Sequence, residues 1–139
     1  MTPDQPSTAA VCVVVDMANV IGSRPDGWWK DRAGAATRLL AGMPDLLGQT
    51  AATPSGDRVL IEQVVAVVEG AAKAATAPAG VTLVRAPHDG DTTIVSTARH
   101  YLDAGTRVVV VTADRGLRAR LADGALVTGP SWLNALLGR

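Results

Sequence analysis

Three stretches of this chain are apolar at consecutive positions: Val11–Val15, Val64–Val68 and Val108–Val111. A strand with one wet face alternates apolar and polar residues. Unbroken runs instead belong to strands covered on both faces, the arrangement of a parallel sheet between two layers of helices. Bounded by turn residues, the predicted strands are Val11–Val15, Val59–Val68, Val81–Val84, Val108–Val111 and Leu126–Thr128. Phe is absent and aromatic residues make up 3%, so the core is built from Val, Leu, Ala and Ile.

Helical patterns lie between these runs. From Asp91 to Ala104, Ile94, Val95, Ala98, Tyr101 and Leu102 form one stripe of a 3.6-residue period, and Gly105 supplies the stop. Residues 29–42 and 44–51 read as weaker Ala/Leu-rich helices, 115–122 and 131–137 as short ones, and Ala52–Asp57 as a loop. Alternating strands and helices predict an α/β fold: a three-layer sandwich around a central, mainly parallel five-stranded sheet with right-handed crossovers. Ligands of such sheets bind at the carboxyl ends of the strands.

At 139 residues the length suits one domain, expected over 10–139 after a disordered leader at 1–9. The leader carries acid and proline where a signal peptide carries positive charge, and no apolar segment approaches membrane-spanning length, so a cytoplasmic protein without membrane contact is expected. The single cysteine, Cys12, excludes an internal disulfide framework and reads as a buried spectator. Thirteen basic residues balance thirteen acidic ones, which argues against a polycationic or polyacidic chain.

The placement of the acids says more than their number. Asp16 follows the first apolar run, Glu69 follows the second, and Asp114 stands two residues after Thr112 at the exit of the fourth strand. Asp91 lies at the start of the best helix, which begins at the same edge in a parallel sheet. Taken singly each has an ordinary role: Asp91 and Asp114 as helix N-caps, Asp16 and Glu69 as turn residues. Together they are harder to dismiss, because clustered carboxylates repel unless a cation sits among them. Oxygen ligands without a Cys/His cluster point to Mg²⁺ or Mn²⁺, the ions that activate water in phosphodiester hydrolysis. With these four acids neutralised, thirteen basic residues face nine acidic ones, a balance that suits a polyanionic substrate.

In order and spacing, VVVDMANVIGS (Val13–Ser23), VVAVVEG (Val64–Gly70), GDTTI (Gly90–Ile94) and VVVVTADRGL (Val108–Leu117) resemble the blocks of NYN/PIN-like ribonuclease domains, above all the YacP-type NYN branch. The likeness spans residues 11–137. It implies the PIN-like strand order 3-2-1-4-5, a metal site of Asp16, Glu69, Asp91 and Asp114, and ligand- or substrate-orienting roles for Asn19 and Thr112. Thr92 stands where that family often has a second acid, Ala18 replaces a usual Gly, and Ala113 replaces Ser.

The loop after Asn19 carries Arg24, Trp28, Trp29, Lys30 and Arg32, a set able to stack a base and hold a phosphate. Arg24, Trp28, Lys30 and Arg115 are therefore expected to contact substrate, while Arg118 and Arg120 read as a solvated face. His88 and His100 have no second ligand at metal spacing, and Ser131 reads as the N-cap of the last helix. There is no G-x-x-x-x-G-K-[ST] motif and no glycine cluster after the first strand, which excludes the common nucleotide-binding folds; Ala18 stands where a haloacid-dehalogenase-type phosphatase needs a second Asp. The residues thus predict a Mg²⁺/Mn²⁺-dependent ribonuclease with RNA as partner. A homodimer and an antitoxin-like protein partner are the protein contacts allowed for. Thr92 and the neutral net charge motivate the alternative, a non-catalytic RNA-binding or assembly module.

Overall fold

In a computed structural model, which describes residues 8–139, the valine runs form three adjacent strands of one sheet. The chain order is β1 (Thr8–Asp16), α1 (Met17–Gly22), α2 (Arg32–Gly42), β2 (Thr50–Ala52), β3 (Arg58–Val68), β4 (Val81–Arg85), α3 (Gly90–Asp103), β5 (Arg107–Val111), α4 (Arg115–Arg120), β6 (Leu126–Thr128) and α5 (Pro130–Leu137). Single 3₁₀ turns occupy Trp28–Lys30, Met43–Leu46 and Gly70–Ala74.

The sheet is mixed, not plainly parallel. The five expected strands do pair in parallel, in the order β4-β3-β1-β5-β6 that the resemblance implies. A sixth, β2, lies antiparallel on β3, with Thr50 opposite Leu60 and Ala52 opposite Arg58. This corrects the expected helix 44–51, which is a 3₁₀ turn followed by a strand. The cause is an unpaired edge: β4 covers β3 only from Val64 onward, so the amino half of β3 needs hydrogen-bond partners that β2 supplies.

Other boundaries move for local reasons. Helix 29–42 starts at Arg32, because Asp31 caps it by accepting the Gly34 N–H at 2.9 Å. Ala52 belongs to β2 rather than to the loop, and residues 1–7 of the expected leader lie outside the described residues. Its last two, Thr8 and Ala9, are in β1, paired with Arg58 and Val59. Gly105 ends α3 as expected, at φ +85.

Across the valine runs of β1, β3 and β5 both sheet faces are dry. Val11, Val13 and Val15 pack with Met17, Val20, Ile21, Leu39, Leu40 and Leu133 from α1, α2 and α5, while Cys12 and Val14 pack with Ile94, Ala98 and Leu117 from α3 and α4. Each such aliphatic side chain contributes about 1.5–3 kcal/mol by burial. A register shift after Val11 leaves Glu62 as the extra residue of β3. Val59 and Ile61 before it and Val64, Ala66 and Val68 after it therefore share one face, which keeps Gln63 out of that core. Burial pushes the Cys12 thiol up to about 12, consistent with an inert spectator.

Candidate functional site

The carboxyl ends of β1 and β5 are tied together by hydrogen bonds. Asp16 ends β1, is 6% exposed and caps α1, accepting the Asn19 N–H at 3.3 Å through Oδ1. Its Oδ2 accepts the hydroxyl of Thr112, a fully buried side chain, at 2.8 Å. The same hydroxyl oxygen accepts the Asp114 N–H at 3.1 Å, and Asp114 caps α4 through the Leu117 N–H at 3.0 Å. Asn19 Oδ1 accepts the Ala113 N–H at 2.7 Å. Arg118 donates twice to the Thr112 carbonyl, at 3.2 and 2.9 Å.

These bonds revise several expected roles. Thr112 is too buried to touch substrate, so it and Asn19 position the two strand ends. Arg118 is exposed, as expected of a solvated face, and also braces the turn that carries Asp114. Of the acids expected to be ordinary caps, Asp114 is one, but α3 is capped by Asp89, whose Oδ1 accepts the Thr92 N–H at 3.2 Å. That leaves Asp91, in the first turn of α3, free of any hydrogen bond to its carboxylate among the described residues. Ser131 does not cap α5 either: the cap is Gly129, followed by Pro130, with no side-chain bond.

The second half of the edge is looser. Glu69 follows β3, and its Oε2 accepts the Gly90 N–H at 2.6 Å, fixing the start of α3 to the end of β3. A Cβ at Gly90 would lie 3.0 Å from the Glu69 carboxylate, close enough to press on it. Arg120, donating to Thr92 Oγ1 at 3.2 Å, is the cation whose charge reaches Asp89 and Asp91.

The acids feel one another. Burial raises the Asp16 carboxyl above its ordinary value; the Thr112 and Asn19 bonds oppose this, and the charges of Asp91 and Glu69 add to it. Burial also raises Asp91, reinforced by Asp114, Glu69 and Asp89 and opposed by Arg120. Asp89 is lowered by its cap bonds with Thr92. Among the described residues the one ion pair, Arg139 with Asp26 at 3.8 Å, lies outside this set. Nor do any three acidic, His or Cys side chains stand gathered as a ready-made ligand cage there. The donor chemistry fits a hard divalent cation nonetheless: oxygen atoms only, excess negative charge, and an Asp91 carboxylate with both oxygens unengaged.

A cavity of about 400 Å³ opens beside Glu69, with Trp28, Arg32 and His88 on its walls. The Arg32 guanidinium lies 5.4 Å from the Trp28 ring centroid, and Trp29 meets Trp28 edge-on at 5.8 Å. Of the expected substrate contacts the structure therefore brings Trp28 to the acids, but accompanied by Arg32 and His88. Arg24 lies toward Arg139 instead, and Lys30 is exposed at the end of its turn. Arg115 is exposed directly after Asp114. A second cavity, about 420 Å³, lies across Ala18 and is lined by Asn19, Ser23, Ala113 and Ser131. Among the described residues no helix is long and apolar enough to cross a membrane.

No protein-family model and no curated protein matches the chain. Solved structures do. A tryptophan-to-leucine mutant of Rae1 (YacP) from Bacillus subtilis superposes at a TM-score of 0.71 with 19% identity, covering 92% of this chain and 75% of that one. Another crystal structure of Rae1 (YacP) from Bacillus subtilis gives 0.65 with 20% identity, covering 91% and 73%. The chain has a YacP-type, NYN-like fold.

Proposed function

From a YacP-type, NYN-like fold whose carboxyl edge carries four acids, we propose that this protein is a nuclease acting on RNA, with Mg²⁺ or Mn²⁺ as its cofactor. The observation that carries the reading is electrostatic: Asp16, Glu69, Asp91 and Asp114 share one edge, and Asp16 and Asp91 are pushed up by burial and by their neighbours' charge. Such an arrangement is costly unless a cation joins it.

Asp16, Glu69, Asp91 and Asp114 would hold the cation. A bound divalent ion there supplies an activated water and neutralises charge on the phosphate during in-line displacement. The chain's own residues do the rest. Thr112 and Asn19 lock the ends of β1 and β5 in one register, Arg118 fixes the turn that presents Asp114, and Glu69 ties α3 to β3 so that Asp91 faces its partners. Arg115, next to Asp114, contributes positive charge toward the phosphates of the strand.

Asp91→Asn is the clean test, because that carboxylate supports no hydrogen bond among the described residues. A labelled mixed-sequence RNA is incubated with purified protein in Mn²⁺, Mg²⁺ or EDTA. Metal-dependent cutting that disappears in Asp91→Asn is the expected result; cutting retained in this variant and in Asp114→Asn would sink the mechanism. A non-catalytic RNA-binding module is the second reading. It is favoured by the absence, among the described residues, of three ligand side chains already gathered, and by Arg120 standing beside Asp91. RNA binding in EDTA without cleavage in either metal would select it.

A further inference from the structure

We propose that the cavity walled by Trp28, Arg32, His88 and Glu69 is a nucleobase subsite that seats the nucleotide next to the reacting phosphate of a single-stranded RNA. This rests on the nuclease reading above and adds where the substrate is gripped.

Size and placement come first. At about 400 Å³ the cavity falls within the roughly 300–1,000 Å³ of small-ligand sites, ample for one nucleotide. It is built where the start of α1 at Ala18, the Trp28 turn, the first residue of α2 and the end of β3 meet. One wall, Glu69, is also a member of the acidic edge, and its Oε2 is held by Gly90 at 2.6 Å. The lining also takes in Ala18, two residues after Asp16, and Glu69 holds Gly90, the neighbour of Asp91, so a base in the cavity leaves its own phosphate at the acidic edge.

The walls have the chemistry of base recognition. Trp28 is half-buried, packed on the core yet lining the cavity, so its indole is a rigid platform. The Arg32 guanidinium, 5.4 Å from its centroid, provides a second flat, stackable surface of positive charge. Arg32 and His88 form no ion pair among the described residues, which leaves their donors available to the sugar and phosphate. Trp29, 54% exposed, is not among the residues lining this cavity. It serves as the internal control.

The test uses the full chain carrying Asp91→Asn and single-stranded RNA hexanucleotides, either intact or abasic at one position. Tryptophan fluorescence is followed on titration. Quenching is expected, abolished in Trp28→Phe and retained in Trp29→Phe. Arg32→Ala is expected to weaken binding about tenfold, with a similar loss for one abasic position. If the chain without Asp91→Asn cuts these oligonucleotides while every variant and every abasic RNA binds equally well, the subsite is overturned and the nuclease stands. Base-dependent quenching of Trp28 with no cutting in Mn²⁺ or Mg²⁺ keeps the subsite and overturns the nuclease. An RNA that does not bind at all removes both.

Discussion

The two halves of the acidic edge are built differently. Around β1 and β5, Asp16, Thr112, Asn19, Asp114 and Arg118 close a continuous hydrogen-bond lattice in which the Thr112 hydroxyl and carbonyl are both engaged. At the carboxyl end of β3 one bond, Gly90 to Glu69, ties an acid of the edge to α3, and Asp91 has no partner for its carboxylate among the described residues. One half is set before anything binds. The other keeps free oxygen atoms and borders the cavity walled by Trp28 and Arg32, which is the division of labour a site needs when it must hold its register and still accept a ligand.

The comparison is broken most severely by exchanging one acid from each half for alanine. Asp16→Ala removes the α1 cap and leaves the proton of the buried Thr112 hydroxyl without its acceptor, a loss of roughly 2–4 kcal/mol in urea unfolding. Asp91→Ala removes no such bond, and its stability is expected within about 0.5 kcal/mol of the parent. Both are expected to lower metal-dependent cleavage by roughly a hundredfold or more. Equal stability losses for the two variants would mean that the halves are not built differently.

Addition of the cation reads the same contrast through charge. Asp16 and Asp91 bind their protons more tightly in the folded chain than at the ordinary value of 3.8. Between that value and the raised ones the folded state carries the extra protons, so stability falls as pH rises through the window and then levels off. Mn²⁺, if it binds these acids as proposed, competes with those protons. At about 100 times its Kd it is expected to add about 2.7 kcal/mol at pH 7.5 and progressively less as pH drops into the window. A melting temperature unmoved by Mn²⁺ at pH 7.5, or raised equally at pH 4, would remove the cation from the site. In Asp91→Asn the fall of stability with pH is expected to be shallower.

Thr112→Val keeps the shape of a buried residue and deletes the link between the strand ends. Asp16 loses a bond that lowers its carboxyl, so its titration moves further up, and the acid limb of the cleavage profile moves up with it. The stability cost is about 1–2 kcal/mol. Thr112→Ser, which retains the hydroxyl, is expected to restore both. A valine variant with an unchanged acid limb would show that the lattice does not tune Asp16.

The bonded half was the more legible in sequence. Valine runs announce β1, β3 and β5 because burial on both faces leaves no other pattern, and an acid directly after such a run is delivered to the sheet edge by the strand itself. What could not be read is what depends on side chains turning back. Asp89 and Asp91 straddle Gly90, and nothing in their spacing says which becomes the cap and which stays free. Arg118 is a surface residue, and only the curl of α4 shows that its guanidinium reaches back to the Thr112 carbonyl. α1 spans six residues and β2 three, too short for a hydrophobic period to register. Arg24, Lys30 and Arg32 all lie within four residues of Trp28, so sequence proximity cannot choose among them; the Asp31-capped start of α2 is what carries Arg32 over the ring.

The smallest expected effect probes the loose half where it is tightest. At Gly90 a Cβ would meet the Glu69 carboxylate at 3.0 Å, with the backbone otherwise helical, so alanine there adds helix propensity while pressing on one side chain. Global stability is expected to change by less than about 1 kcal/mol. Glu69, held by one bond, yields. Its displacement shifts one acid of the edge and one wall of the Trp28 cavity together, so cleavage is expected to fall about tenfold or less, with KM and kcat both affected. Gly116→Ala is the matching change in the bonded half, where a Cβ would lie 3.3 Å from Asp114 Oδ1. There Asp114 is pinned by the Leu117 N–H and through the lattice by Thr112, so the pressure is taken up as lost stability rather than as a moved carboxylate. If Gly90→Ala costs stability and spares KM while Gly116→Ala does the reverse, the assignment of a rigid half and an adaptable half is inverted.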